Sequence, residues 1–528
     1  MQSMNWKYTM LLNREKRMQN NLNFLSDECW FGGNVIDGVH QPYTAKSACV
    51  LDLSTNHTPN QTMPLLLSTK GRWLWNPNGM RVQFEYGKLY YTSGTQSGQS
   101  GNTLRSAYFD AMTRFFPFSA GGPAQLFLDA PVYNTWIELT FHQAQDAVLR
   151  YAEAVLSNGF PSGVLMIDDG WNDYYGKWKF SVEKFPDPSS MLNRLKELGF
   201  HVMLWICPFI TPDTVEYREL EQKGLLVQTE SGETHIAHWW NGYSAVLDMT
   251  KPDTIAWLKK QLDTLVALGV SGFKFDAGDS IYYPSNGTVS PDEHSRAWAK
   301  FGAQYVYNEF RVTAGAGGWP LMQRLCDKDH SWDEHGLAAL IPDAIVQSLT
   351  GHPFLCPDMI GGGEYQNFYA QGQLDSMLFV RWAQIACLMP VMQFSAAPWR
   401  VLEEKELAQV KESVALRQKW MSVLREAWMD CVRTGEPILR PMVYCFPQDD
   451  CAAYTDQFMI GNTLLVAPIL RKGATARMVY LPKGEWQFEN KRIRSEGMRV
   501  QVTINEHKCP FVFQRIHEDF SSSISNLA

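Results

Sequence analysis

Lys274, Asp276 and Asp279 fall within GFKFDAGD, Gly272 to Asp279, a stretch otherwise apolar enough for a buried strand. Lys274 and Asp276 are two residues apart, so on a strand their side chains emerge on the same side. A carboxylate there needs either a counter-charge or a task. As one half of an ion pair it would be structural; as a catalytic group it would be kept ionised by the neighbouring cation, which lowers its pKa. Asp279 lies past the strand, in the loop, and ranks second to these two. Another carboxylate, Asp327, occurs in RLCDKDHSW with Asp329 close by. Two carboxylates facing each other across a pocket suit glycoside hydrolysis, one as nucleophile and the other as acid and then base, with their pKa values set apart. Asp168 and Asp169 in IDDGW and Asp358 in FLCPD end other apolar runs and suit hydrogen bonds from sugar hydroxyls. Trp136, Trp171, Trp205, Trp239 and Trp240 offer flat faces on which sugar rings stack.

Other chemistries fit less well. These carboxylates could ligate Mg or Ca, but they are spread over separate strands with Trp, Lys and Arg among them. The chain has no EF-hand loop, HExxH, GxSxG elbow or P-loop. No metal and no cofactor is expected, because attack and proton transfer need only the two carboxylates.

The elements that must position these residues are short apolar strands alternating with amphipathic helices from about Pro131. HQAQDAVLRYAEAVLSNG precedes GVLMIDDGW, SSMLNRLKELGF precedes HVMLWICPF, and KPDTIAWLKKQLDTLVALGV precedes GFKFDAGD. In the last helix Ile255, Leu258, Leu262, Leu265 and Leu268 step by three or four residues onto one face, and Thr250 with Asp253 resembles a capping pair. The alternation predicts a parallel sheet, either a (β/α)8 barrel or a doubly wound fold. Polar residues gather where each strand gives way to its loop, which is the active face of a barrel, and a Gly-rich phosphate turn after the first strand is missing. The expected fold is therefore α/β, a (β/α)8 TIM barrel over residues 129–432. Residues 1–128, with alternating runs such as RVQFEYGKLYYTSG, read as an N-terminal β-sandwich, and residues 433–528 as a small C-terminal β-sheet domain.

Composition narrows the partners. Hydrophobic content of 45% with 19% charged residues is that of a globular protein. A net charge of -8 offers no basic face for nucleic acid. No run of about eighteen apolar residues would cross a membrane, and no apolar leader is read at the start. The expected location is cytoplasmic, where ten cysteines without CxxC pairs stay reduced, and N-x-[ST] sites at Asn56, Asn60 and Asn286 carry no meaning. A homo-oligomer stays open.

From about residue 131 to 490 the chain resembles glycoside hydrolase family 31, the retaining α-glycosidases. FKFDAGD is similar to the family's nucleophile segment and RLCDKDHSW to its acid/base segment, in which the catalytic Asp stands five residues before a Trp, here Trp332. GVLMIDDGW, HVMLWICPFI, GHPFLCPDMIGG, GEPILRPMVYCFP, QFMIGNTLLVAPIL and VYLPKGEW follow in family order. The resemblance implies that Asp276 is the nucleophile and Asp327 the acid/base. It further implies that Arg311, sixteen residues before Asp327, binds sugar with Asp168 and Asp358, and that Lys274, Trp205 and Trp240 complete the pocket. IDDGW, HWWNGYSAVLD, KFDAGD and CDKD resemble more closely the branch holding bacterial α-galactosidases and the myogenesis-regulating glycosidase than the α-glucosidases of the family. This implies an exo-acting α-galactosidase acting on a small α-linked sugar. α-Glucosidase, α-xylosidase, α-N-acetylgalactosaminidase and a catalytically silent sugar-binding protein are the alternatives.

Overall fold

The computed structural model describes residues 18, 20–119, 121–369, 374–504 and 508–516. Its centre is a barrel of eight parallel strands: β1 (Val132–Asn134), β2 (Val164–Ile167), β3 (His201–Ile206), β4 (Gly272–Phe275), β5 (Tyr307–Phe310), β6 (Gln323–Arg324), β7 (Leu355–Cys356) and β8 (Gln393–Phe394). Neighbours in sequence are neighbours in space, and β8 pairs with β1. Between β7 and β8 the wall is completed by Val391 N–H to Leu355 O at 3.0 Å and Ile360 N–H to Gln393 O at 2.8 Å. This is the expected (β/α)8 arrangement, and its strands read as short apolar runs because both faces are covered.

The helices between strands carry the signals that start them. Asp187 and Ser290 cap helices that begin with Pro188 and Pro291, where proline gives up an N–H that has no partner anyway. In Gln145–Ser157 the buried positions are Val148, Tyr151, Ala152 and Val155, one helical stripe. In Pro252–Leu268 the stripe is Thr254, Leu258, Leu262 and Leu265. Thr250 and Asp253 do not cap it: Lys251 is the first flanking residue, Pro252 opens the helix, and the Thr250 hydroxyl donates instead to Asp248.

Ahead of the barrel, two four-stranded antiparallel sheets form the sandwich. Strand Thr62–Ser68 is buried on both faces. Leu66 joins the sandwich core with Trp30, Leu74 and Phe84, while Leu65 and Leu67 face the larger core shared with the barrel. The period of two thus fastens one domain onto the next. The strand's start pairs with the loop after β5, Thr62 N–H donating to Thr313 O at 3.1 Å and Gly315 N–H to Thr62 O at 3.0 Å. After the barrel come helices Glu404–Lys419 and Met421–Thr434, then a six-stranded antiparallel sheet with a two-stranded partner. Among the described residues no helix is long and apolar enough to cross a membrane.

Candidate active site

In parallel strands, residues in register point to the same side, and Trp205, Lys274 and Glu309 are in register across β3, β4 and β5. All three are buried, with Arg324 of β6 and Gln393 of β8 beside them. The barrel interior is therefore charged beneath the site. Arg324 reaches Glu309 at 3.3 Å and Asp358 at 2.6 Å, and Gln393 Nε2 donates to Glu309 at 2.6 Å. A buried charge survives only with such partners.

Above this layer lies a cavity of ≈ 460 Å³ at the C-terminal ends of the strands. Asp168, Asp169, Trp205, Lys274, Asp276, Arg311 and Asp327 line it, with Trp136 and Trp240 at its lip. Asp276 accepts from Arg311 Nε at 3.0 Å and from the Ala277 N–H at 2.9 Å on one oxygen, and from Trp205 Nε1 at 3.0 Å on the other. Lys274 Nζ lies 3.9 Å from that second oxygen and 2.8 Å from Asp168. Burial pushes the Asp276 carboxyl up, but Arg311, Lys274 and the Trp205 hydrogen bond outweigh it and hold it well below the usual carboxylate range. Asp276 is thus an anion without a proton to lose. Ala277, directly after it, has φ +57, a left-handed conformation unusual for alanine and a local strain of the kind that clusters at active sites.

Asp327 is the contrasting carboxylate. Its side chain is 42% exposed and accepts from Arg324 Nη1 at 2.7 Å. Gly363 leaves room for it, since a Cβ there would come within 2.5 Å of Asp327 Oδ1.

Asp169 accepts on one oxygen from Tyr175 OH at 2.9 Å and Asn241 Nδ2 at 3.0 Å, while Oδ1 is buried without a partner. Burial pushes this carboxyl up to about 7, with the Asp168 and Asp276 charges adding to the rise. Asn241 sits at the tip of the hairpin Ile236–Trp239 and Gly242–Val246. The Arg311 guanidinium lies 5.5 Å from the ring centre of neighbouring Trp240, within the range of a cation–π contact.

Asp358 is placed differently from the sugar contact its position in the sequence suggested. It is fully buried, and its oxygens accept from Arg324, from Lys328 N–H and from Gly363 N–H. It anchors the Asp327 loop from beneath and does not line the cavity. Trp171 and Trp239 also lie outside the cavity: Trp171 donates to Trp205 O at 2.8 Å, and Trp239 packs between Phe209 and Trp240. Asp329 is exposed to one side.

Asp279, ranked second in the sequence, is fully engaged with Arg311, at 3.1 and 2.6 Å. Several residues of the site were missed. Glu309 and Arg324 left a trace, a charge inside an apolar strand. Asn60 left none beyond its N-x-T pattern. It is wholly buried, Oδ1 accepting from Cys326 N–H at 2.8 Å and Nδ2 donating to Arg311 O and Arg324 O. Pro59 O accepts from Arg311 Nη1 at 2.8 Å, and His57 and Pro59 reach the cavity wall. The sandwich domain therefore builds part of the site. Among the described residues no three His, Cys, Asp or Glu side chains group as a metal site requires.

Residues 132–431 match the glycosyl hydrolases family 31 TIM-barrel domain. The chain belongs to glycoside hydrolase family 31. Residues 435–516 match the family's C-terminal domain. The myogenesis-regulating glycosidase of Mus musculus is 34% identical over 452 residues, covering 81% of this chain and 62% of that protein. Alpha-xylosidase XylQ of Lactiplantibacillus pentosus is 24% identical, covering 81% and 58%. The chain thus spans about three-fifths of the length of these relatives. Among solved structures, the family 31 dextranase of Flavobacterium johnsoniae with glucose superposes with a TM-score of 0.80 at 19% identity, covering 94% of this chain and 66% of that one. A family 31 alpha-xylosidase from a soil metagenome with xylose gives 0.80 at 19%, covering 95% and 80%. At such identities the likeness is one of fold.

Proposed function

We propose that this protein is an exo-acting, retaining α-glycoside hydrolase, and that its preferred substrate is an α-galactoside. Asp276 attacks C1 of the bound sugar while Asp327 gives its proton to the departing glycosidic oxygen, so one C–O bond forms as another breaks. Asp327, now a carboxylate, takes a proton from water, which attacks C1 and releases Asp276 with the α-configuration restored. The observation that carries this reading is the difference between the two carboxylates. Asp276 is buried and held anionic by Arg311 and Lys274, whereas Asp327 stands half open in the same cavity.

Lys274 and Arg311 are already engaged by carboxylates, so a neutral glycone fits better than an anionic one. The choice of galactose rests on the IDDGW, KFDAGD and CDKD segments. Glucose, xylose and N-acetylgalactosamine differ from it by single groups, which hydrogen-bonding pockets discriminate strongly. Ten unpaired cysteines support a reducing, cytoplasmic setting, and the partner is a small carbohydrate, with neither nucleic acid nor membrane.

The test is hydrolysis of p-nitrophenyl α-galactoside, α-glucoside, α-xyloside and α-N-acetylgalactosaminide by the protein and by Asp276→Asn. Turnover of the galactoside that disappears in the variant is expected. Turnover of another sugar would correct the glycone, and silence on all four would favour a sugar-binding protein without catalysis.

A further inference from the structure

On the basis of the hydrolase reading, we propose that the mouth of the cavity carries an aglycone site built by Trp136, Phe141 and Tyr365. It takes an uncharged ring with an apolar face, such as a pyranose or an aryl group.

The cavity changes character from floor to lip. On the floor Asp168, Lys274 and Asp276 are 2–6% exposed and tied to one another. At the lip three aromatic rings meet edge to face. Trp136 and Phe141 have centroids 5.6 Å apart at 85°, Trp136 and Tyr365 5.3 Å at 69°, and Phe141 and Tyr365 5.9 Å at 88°. Phe141 is nonetheless 48% exposed. All three rings line the same cavity.

The position of Asp327 decides which end receives which half of the substrate. The group that protonates the leaving oxygen must lie beside it, within hydrogen-bond reach. Gly363 abuts Asp327, a Cβ there falling 2.5 Å from Oδ1, and Glu364 and Tyr365 follow directly along the cavity wall. The leaving group therefore emerges alongside the Tyr365 ring. Trp136 packs edge-on beside Tyr365, and its backbone N–H donates to Asn134 Oδ1 at 2.8 Å at the end of β1. The two cations that line the cavity, Lys274 and Arg311, are both ion-paired near Asp276, and Glu364 adds negative charge near the rings. That combination disfavours an anionic aglycone and leaves ring stacking as the source of affinity.

The experiment compares kcat/KM for three substrates sharing the glycone that turns over best: the α-glycosyl fluoride, which has no aglycone ring, the p-nitrophenyl glycoside and a disaccharide. Phe141→Ala and Trp136→Ala should lower the ring-bearing to fluoride ratio by roughly 3- to 10-fold each, as expected for one lost ring contact, mostly through KM. Trp136→Phe should recover part of it. A fall for both ring-bearing substrates identifies a pyranose site, and a fall for the nitrophenyl glycoside alone an aryl site. Ratios unchanged from those of the unsubstituted protein, or an equal loss on the fluoride, would overturn the proposal. Failure of the unsubstituted protein to hydrolyse any glycosyl fluoride would instead remove the hydrolase reading, and the aglycone site with it.

Discussion

Asn60 Oδ1 accepts the backbone N–H of Cys326 at 2.8 Å, so a loop of the N-terminal sandwich fixes the residue immediately before Asp327. The same side chain donates to the carbonyls of Arg311 and Arg324. One amide from outside the barrel therefore spans the strand end that holds Arg311, the partner of Asp276, and the strand end that leads to Asp327. Asn60→Ala should leave buried groups without partners and cost about 2 kcal/mol, with turnover falling alongside stability. Denaturant unfolding and kcat on one substrate test this; full activity at unchanged stability would show that the loop is only a neighbour.

Gly363 yields a sharper expectation. A methyl group at this position would meet Asp327 Oδ1 at 2.5 Å and Met359 Cε at 2.8 Å. Because Asp327 is half open it can swing away, so Gly363→Ala should fold but misplace the acid. Glycosides with poor leaving groups should lose more activity than nitrophenyl glycosides, and equal losses on both would count against this account.

Asp327→Ala should lower turnover of unactivated glycosides by roughly 10²- to 10⁴-fold, the usual share of general acid catalysis. Activated substrates should suffer less, and added azide should restore release of the sugar as a glycosyl azide. Absence of rescue together with loss on activated substrates would point to a different acid.

Asp169 makes stability depend on pH. Burial raises its carboxyl to about 7, so the folded protein binds a proton that the unfolded chain has released. Stability from this group is fully present below the unfolded value and is lost as pH rises through the folded one. Between about pH 5 and about pH 8.5 the loss is on the order of 2 kcal/mol. Asp169→Asn should be stabilising at both, and more strongly at the higher pH, as thermal unfolding would record. Asp276 behaves oppositely, since Arg311 and Lys274 outweigh its burial and hold its pKa down. Its contribution is present at neutral pH and lost only as pH falls through that depressed value.

The barrel, and the placing of Asp276 and Asp327 at the ends of its strands, were legible in the chain because they rest on local rules. Helix stripes of period 3.6, strands ending in polar residues and the pairing of Lys274 with Asp276 two positions apart all fall within single short segments. Tertiary structure decided what depends on residues distant in sequence. Asp358 has the sequence context of a sugar ligand, yet Arg324 and two backbone N–H groups take both of its oxygens. Trp239 and Trp240 are adjacent and of one type and their rings touch, yet Trp239 ends its strand in the core while Trp240, in the turn, reaches the cavity. Asn60 reaches a partner 266 residues away. Which buried polar group meets which is set by closure of the barrel and docking of the sandwich, and no local pattern encodes it.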